Sequence, residues 1–108
     1  MATFTPKKLA FVQLSDTPAT TVYDSGAAIG EVHNIILHNA NTTTEVVILN
    51  LYDGTNTYQL FKVSLVTLET MIIEFINEGL IVDASSLING STTTAAKVTC
   101  SINGTERT

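Results

Sequence analysis

The sequence predicts an all-β protein: a single antiparallel β-sandwich, jelly-roll-like, with about seven or eight short strands. Thr, Ile and Val make up 37 of the 108 residues, and their β-branched side chains suit the pleated surface of a sheet. Turn-forming residues interrupt the apolar segments at short intervals, which is typical of a sandwich. A chain of this length is sufficient for one domain with one two-layer core.

The predicted strands follow from the alternation of apolar and polar residues. Near the C-terminus, Val98, Cys100 and Ile102 alternate with polar residues and give one apolar and one polar face. Residues 46–52 are mostly apolar on both faces, which indicates a central strand or one covered on its second side. The remaining predicted strands are 9–14, 20–23, 31–39, 58–65 and 80–84.

Residues 65–76 fit two periodicities. Leu65, Leu68, Met71 and Phe75 follow helical spacing, and Gly79 is placed where a helix would end. The same segment alternates as a strand over 70–76. We expect the strand, because it completes an otherwise all-β pattern.

Two segments are candidate exposed loops. Asp53, Gly54 and Asn56 lie between two apolar segments, where Asp-Gly is a strong hairpin signal. Asn89 and Gly90 lie in a segment rich in Ser and Thr, which predicts a second loop. Either loop is a candidate for contact with a partner, but for the second loop a flexible connector is the favoured interpretation.

The N-terminal residues differ from the rest of the chain and show no clear alternation. We predict an arm over residues 1–8 and a single sandwich domain over residues 9–108. Phe4, Pro6, Lys7 and Lys8 are the candidate contact residues of this arm, with Phe4 as its apolar anchor. The alternative is a frayed terminus.

Composition excludes several classes of function. Five Lys and Arg stand against ten Asp and Glu, a net charge of −5, whereas nucleic-acid affinity comes largely from basic residues. Thr, Ser and Asn account for 33 residues and charged residues for only 14%, which predicts an uncharged polar surface. Apolar runs are too short to span a membrane. Without a secretory signal pattern, we expect folding in a cytosol.

The sequence offers no catalytic, metal or cofactor motif. His33 and His38 are five residues apart in one predicted strand, so their side chains are expected on opposite faces. Cys100, the single cysteine, falls on an apolar face, where a thiol usually serves packing. No nucleophile elbow or phosphate-binding loop is present. We therefore expect a protein that is not an enzyme and needs no cofactor.

From Thr20 to Thr105 the chain resembles small β-sandwich proteins found in the virions of tailed bacteriophages. The resemblance is carried by Thr21-Val22-Tyr23 before a turn and by a strand ending in His38-Asn39. A long apolar strand, Val46 to Tyr52, and the segment Gly79-Leu80-Ile81-Val82-Asp83-Ala84 continue the pattern. It covers about four fifths of the chain and consists of apolar positions and turns.

The resemblance implies a virion structural protein made in the cytoplasm of a host bacterium. Its expected role is capsid decoration, bound to the major capsid protein or other virion proteins and assembled as a homo-oligomer, a trimer or a ring. The alternatives are a head fibre, a tail, collar or head–tail adaptor component, or a receptor- or glycan-binding module on a fibre tip. No contact with nucleic acid or membrane is expected.

Overall fold

The structure is a computed structural model that describes residues 4–76 and 79–107, with only the backbone of residues 4–7. Within these residues it contains nine strands and no helix. None of the described segments could cross a membrane as a helix. The strands are β1 (Phe4–Gln13), β2 (Thr20–Asp24), β3 (Ile29–Asn39), β4 (Glu45–Tyr52), β5 (Thr57–Leu65), β6 (Thr70–Glu74), β7 (Leu80–Val82), β8 (Leu87–Thr92) and β9 (Val98–Arg107).

The strands form two antiparallel sheets. Sheet A has the order β1-β9-β3-β6, and the short β7 also pairs with β3. Sheet B has the order β2-β8-β4-β5. The predicted all-β sandwich is confirmed.

The strand pairs are nested along the chain. β1 pairs with β9, β2 with β8, β3 with β6 and β4 with β5. Successive pairs belong alternately to sheet A and sheet B. The chain is therefore one long antiparallel ribbon, folded at the turn between β4 and β5, whose two halves wrap together into the two layers.

The core lies between the inner faces of the sheets. Its fully buried side chains are mostly aliphatic, and burying each one contributes about 1.5–3 kcal/mol relative to leaving it in water. They come from both layers: Val32, Ile35, Leu37, Val98, Cys100 and Ile102 from sheet A, and Val47, Leu49, Leu65 and Ile88 from sheet B.

The strand expected over residues 70–76 is present as β6, Thr70–Glu74. Met71 and Ile73 pack against the core, while Ile72 between them is 59% exposed. This two-residue alternation is what a strand produces at the edge of a sheet. Leu68 therefore belongs to a turn and not to a helix.

Candidate interaction surface

The turn that contains Asp53, Gly54 and Asn56 is exposed, as the sequence predicts. The Asp53 carboxylate accepts hydrogen bonds from the backbone N–H groups of Asn56 (2.7 Å) and Thr55 (2.9 Å). These two bonds hold the pKa of Asp53 below its usual value. The carboxylate thus fixes the hairpin between β4 and β5, and a contact with a partner at this turn stays a prediction.

The predicted exposed loop at Asn89 and Gly90 is wrong. Both residues lie in β8, inside sheet B, and Asn89 is only 5% exposed. A Cβ atom at Gly90 would collide with the backbone carbonyl oxygen of Ile48 on the neighbouring β4. The glycine thus allows a close approach of two strands, and Asn89 accepts a 2.9 Å hydrogen bond from the side-chain amide of Asn50.

The predicted arm lies partly in a strand. Residues 4–8 continue β1 and pair with β9 from Arg107 to Asn103, so the boundary expected after residue 8 falls inside β1. The side chains of Phe4, Pro6 and Lys7 lie outside the described residues, as do residues 1–3. Lys8 is exposed, and its ammonium lies 4.4 Å from the centre of the Phe11 ring. Contact of this segment with a virion partner stays a prediction.

The single cysteine is buried, and the two histidines lie far apart on one strand. Burial raises the pKa of the Cys100 thiol to about 12, so the group stays protonated at neutral pH. His38 Nδ1 lies 2.7 Å from Thr70 Oγ1 on the neighbouring strand. His33 sits at a β-bulge, and five residues of strand place it about 16 Å from His38, too far to share a metal ion.

One end of the sandwich is organised around two buried polar side chains, Asn39 and Glu45, which are both fully inaccessible to solvent. The Glu45 carboxylate accepts hydrogen bonds from Asn41 Nδ2 (2.9 Å), Thr92 Oγ1 (3.1 Å) and the Thr94 backbone N–H (2.7 Å). Burial acts to raise the pKa of Glu45, but these hydrogen bonds outweigh it and the pKa lies below its usual value.

The turn between β5 and β6, residues 66–69, is held at the same end. Asn39 Nδ2 donates to the carbonyl oxygens of Leu65 (2.9 Å) and Val66 (3.2 Å). Glu69 closes the turn, because its carboxylate accepts from the Val66 N–H at 2.9 Å. Thr67 Oγ1 donates to the Asn41 carbonyl oxygen. We call residues 66–69 the β5–β6 turn.

The β5–β6 turn presents aliphatic side chains to solvent. Val66 is 58% exposed and Leu68 is 68% exposed. Leu68 has a φ of 60°, a left-handed conformation that costs a residue with a Cβ roughly 1–2 kcal/mol. The same left-handed φ occurs at Ala19, Ser85 and Ala96, so the strain does not by itself single out this turn. The turn is thus a solvent-exposed apolar projection held by hydrogen bonds, and it is one candidate for a contact with another protein.

Comparisons with known proteins give little further guidance. No family model matches the chain, and no curated protein matches it. Two solved structures, each titled as the crystal structure of a pentameric capsid protein isolated from metagenomic phage sequences, cover 98% of this chain at 11% identity. Their TM-scores are 0.31 and 0.28, too low to establish a shared fold. This chain spans 59% and 66% of their lengths.

The exposure of the β5–β6 turn is not predicted from the sequence. The helical spacing places Leu65 and Leu68 on one apolar face, which conceals the change from a buried to an exposed residue. Leu65 is fully buried, whereas Val66 and Leu68 are exposed. Residues 66–69 contain none of the usual turn residues Gly, Pro, Asn, Asp or Ser, so the local composition gives no signal for this turn.

Proposed function

We propose that this chain is a non-enzymatic structural protein of a bacteriophage virion that decorates the capsid and binds the major capsid protein. The likeness of Thr20–Thr105 to small virion β-sandwiches motivates the proposal. The observation that carries it is the hydrogen-bonded β5–β6 turn, because exposed aliphatic side chains on a preorganised turn favour binding to another protein.

The strand order supports the same proposal. When β7 is set aside, the nested pairs of a folded ribbon distribute eight strands between two sheets as a jelly roll does. We infer that the sandwich is a jelly roll, an architecture that capsid proteins share with lectins and cupins. This support is an analogy of fold, since one fold hosts many functions.

The low charge of the chain suits a role in crowded assemblies. Charged residues are only 14% of the chain, so neighbouring copies on a shell would meet mostly through uncharged surface, while the net charge of −5 acts against their close approach. Thr, Ser and Asn side chains form hydrogen bonds directly or through water at such interfaces. Because binding favours the assembled state by mass action, occupancy by many copies would stabilise the shell.

The proposal of a non-enzymatic role rests on what the reactive groups do. Glu45 and Asp53 accept hydrogen bonds that hold loops, and Cys100 is buried. These groups are used to maintain the fold, which leaves the protein surface to carry the function.

Reconstitution tests the role of the turn. Particles of the encoding phage that lack this chain are mixed with purified protein and sedimented, with Leu68→Asp as the test variant and Tyr58→Asp as the control. Tyr58 is also exposed, at 52%, but lies on β5 outside the turn. We expect the control to bind like the original chain and Leu68→Asp to bind at least about tenfold more weakly, since a buried unpaired charge is costly.

A decoration protein should bind phage heads. Comparing its binding to heads, tails and host cells therefore distinguishes decoration from the alternative functions. Capture by tails would favour a tail, collar or adaptor component. Capture by host cells in the absence of particles would favour a receptor- or glycan-binding module. Equal binding of Leu68→Asp and the original chain would remove the turn from the proposal.

A further inference from the structure

One row of side chains crosses the outer face of sheet A from edge to edge. Phe11 on β1 pairs with Ser101 on β9, Ser101 pairs with Ile36 on β3, and Ile36 pairs with Ile72 on β6. Phe11 is 63% exposed and Ile72 is 59% exposed. We call this row the apolar row. It places large apolar side chains at both edges of the sheet, with Ile36 half-buried between them.

The adjacent row is charged at its two ends. Lys8 on β1 pairs with Asn103, Asn103 with Asn34, and Asn34 with Glu74 on β6. The two central residues are joined by a 2.8 Å hydrogen bond from Asn103 Nδ2 to Asn34 Oδ1. Lys8 and Glu74 are both exposed. We call this row the charged row.

The two charges of this row cannot pair with each other in one molecule. They are separated by three strand spacings, about 14 Å, which exceeds the screening length of about 8 Å at physiological salt. One edge of the face therefore carries a positive charge and the other a negative charge at the same height along the strands.

We propose that two copies of this chain associate through the outer faces of sheet A, related by a two-fold axis parallel to the strands. Rotation about such an axis keeps each row at its own height and exchanges β1 with β6. Lys8 of one copy then faces Glu74 of the other, and Phe11 faces Ile72, with each contact made twice. Facing sheets pack about 30° from parallel because each sheet is twisted.

The pattern of the face favours a second copy over an unrelated partner. An isologous interface requires a surface that is complementary to itself, and opposite charges at symmetry-related positions satisfy that condition. The amides of Asn34 and Asn103 lie at the centre, where they can form hydrogen bonds across the interface. Four strands make a face only about 19 Å wide, so we expect a weak dimer with a micromolar dissociation constant. This proposal does not depend on a role in a virion.

Charge exchange tests the geometry. The full-length chain is studied by analytical ultracentrifugation from micromolar concentration to about 1 mM. Lys8→Glu and Glu74→Lys should each weaken the dimer about tenfold, because each change places like charges together twice. The double variant Lys8→Glu/Glu74→Lys restores both attractions and should return the dissociation constant to within about threefold.

Apolar substitutions provide an independent readout. Ile72→Ser should weaken the dimer, and Tyr58→Ser on sheet B should leave it unchanged. Circular dichroism of each variant verifies that the sheets are retained. A monomer at every concentration, or a dimer that both single charge variants leave intact, would overturn the proposal. Failure of the double variant to recover would overturn the two-fold arrangement, and association only with a different protein would also contradict it.

Discussion

The backbone N–H of Thr94, just beyond β8, donates a 2.7 Å hydrogen bond to the buried carboxylate of Glu45 at the start of β4. The same carboxylate binds Thr92 and Asn41. One acidic side chain therefore joins the end of β8 to the loop between β3 and β4. It stabilises the end of the sandwich that carries the β5–β6 turn.

Replacing this carboxylate with an amide should destabilise the protein. In Glu45→Gln one oxygen becomes an NH2 group, which cannot accept a hydrogen bond from an N–H or O–H donor. We expect a loss of about 2 kcal/mol in the free energy of unfolding, since hydrogen bonds to charged groups are the stronger ones. Urea unfolding measures it, with exposed Asp16→Asn as the control. A loss no larger than that of the control would contradict the role of Glu45.

Stability should also depend on pH through Glu45. The folded state lowers the pKa of this group from its usual 4.5, so its contribution is fully present above pH 4.5 and is lost as the pH falls through the lower folded value. We expect acid to narrow the stability difference between the original chain and Glu45→Gln. Unfolding curves at a series of pH values would show this. If the stability difference between the two proteins stayed constant into strong acid, the lowered pKa of Glu45 would be contradicted.

Gly90 should not tolerate a side chain. Gly90→Ala places a methyl group against the Ile48 carbonyl oxygen and the Leu49 side chain, and we expect a loss of more than about 2 kcal/mol because the two strands must separate. Gly26 is the matched control, since the space around it is open and only its φ of +61° opposes alanine. Thermal unfolding should show the larger loss at Gly90. Equal losses at both sites would contradict the close approach of β4 and β8.

The strain at Leu68 predicts a gain in stability on substitution. Glycine adopts a φ of 60° without steric cost, so Leu68→Gly should raise the free energy of unfolding by about 0.5–1 kcal/mol. It should also weaken binding to particles, because the apolar side chain is gone. Val66→Ala removes apolar surface nearby and should change stability by less than about 0.5 kcal/mol. A marked destabilisation by Leu68→Gly would show that the side chain serves the fold instead.

Cys100 should be unreactive in the folded protein. Its thiol is buried between the sheets and its pKa is raised to about 12 by that burial. A thiol reagent at pH 8 should label the protein only as fast as it unfolds, and labelling should be rapid in denaturing urea. Rapid labelling of the native protein would mean that β9 opens readily.

The fold class and most strands could be predicted from the local sequence, because both depend on the alternation of apolar and polar residues and on turn-forming residues. β6 could be predicted although 65–76 also has helical spacing, since Met71 and Ile73 face the core in alternation with Ile72. β8 could not, because Asn89-Gly90-Ser91 has the composition of a turn. These residues occur in a strand because β8 pairs closely with β4, and that pairing follows only from the topology.

The hydrogen bonds between buried polar side chains could not be predicted from the local sequence for the same reason. Asn50 and Asn89 lie 39 positions apart yet form one hydrogen bond, and the partners of Glu45 come from two separate loops. Pairings of this kind depend on which strands become neighbours. The exposure of the β5–β6 turn likewise depends on the tertiary fold, which buries Leu65 and leaves Leu68 exposed.

Immunogold electron microscopy of purified particles from the encoding phage tests the proposed function most directly. An antibody raised against this chain should label the outer surface of the head in many copies per particle, and particles made without the gene should not be labelled. Labelling confined to the tail would contradict decoration of the capsid. Absence of the chain from purified particles would contradict a structural role in the virion.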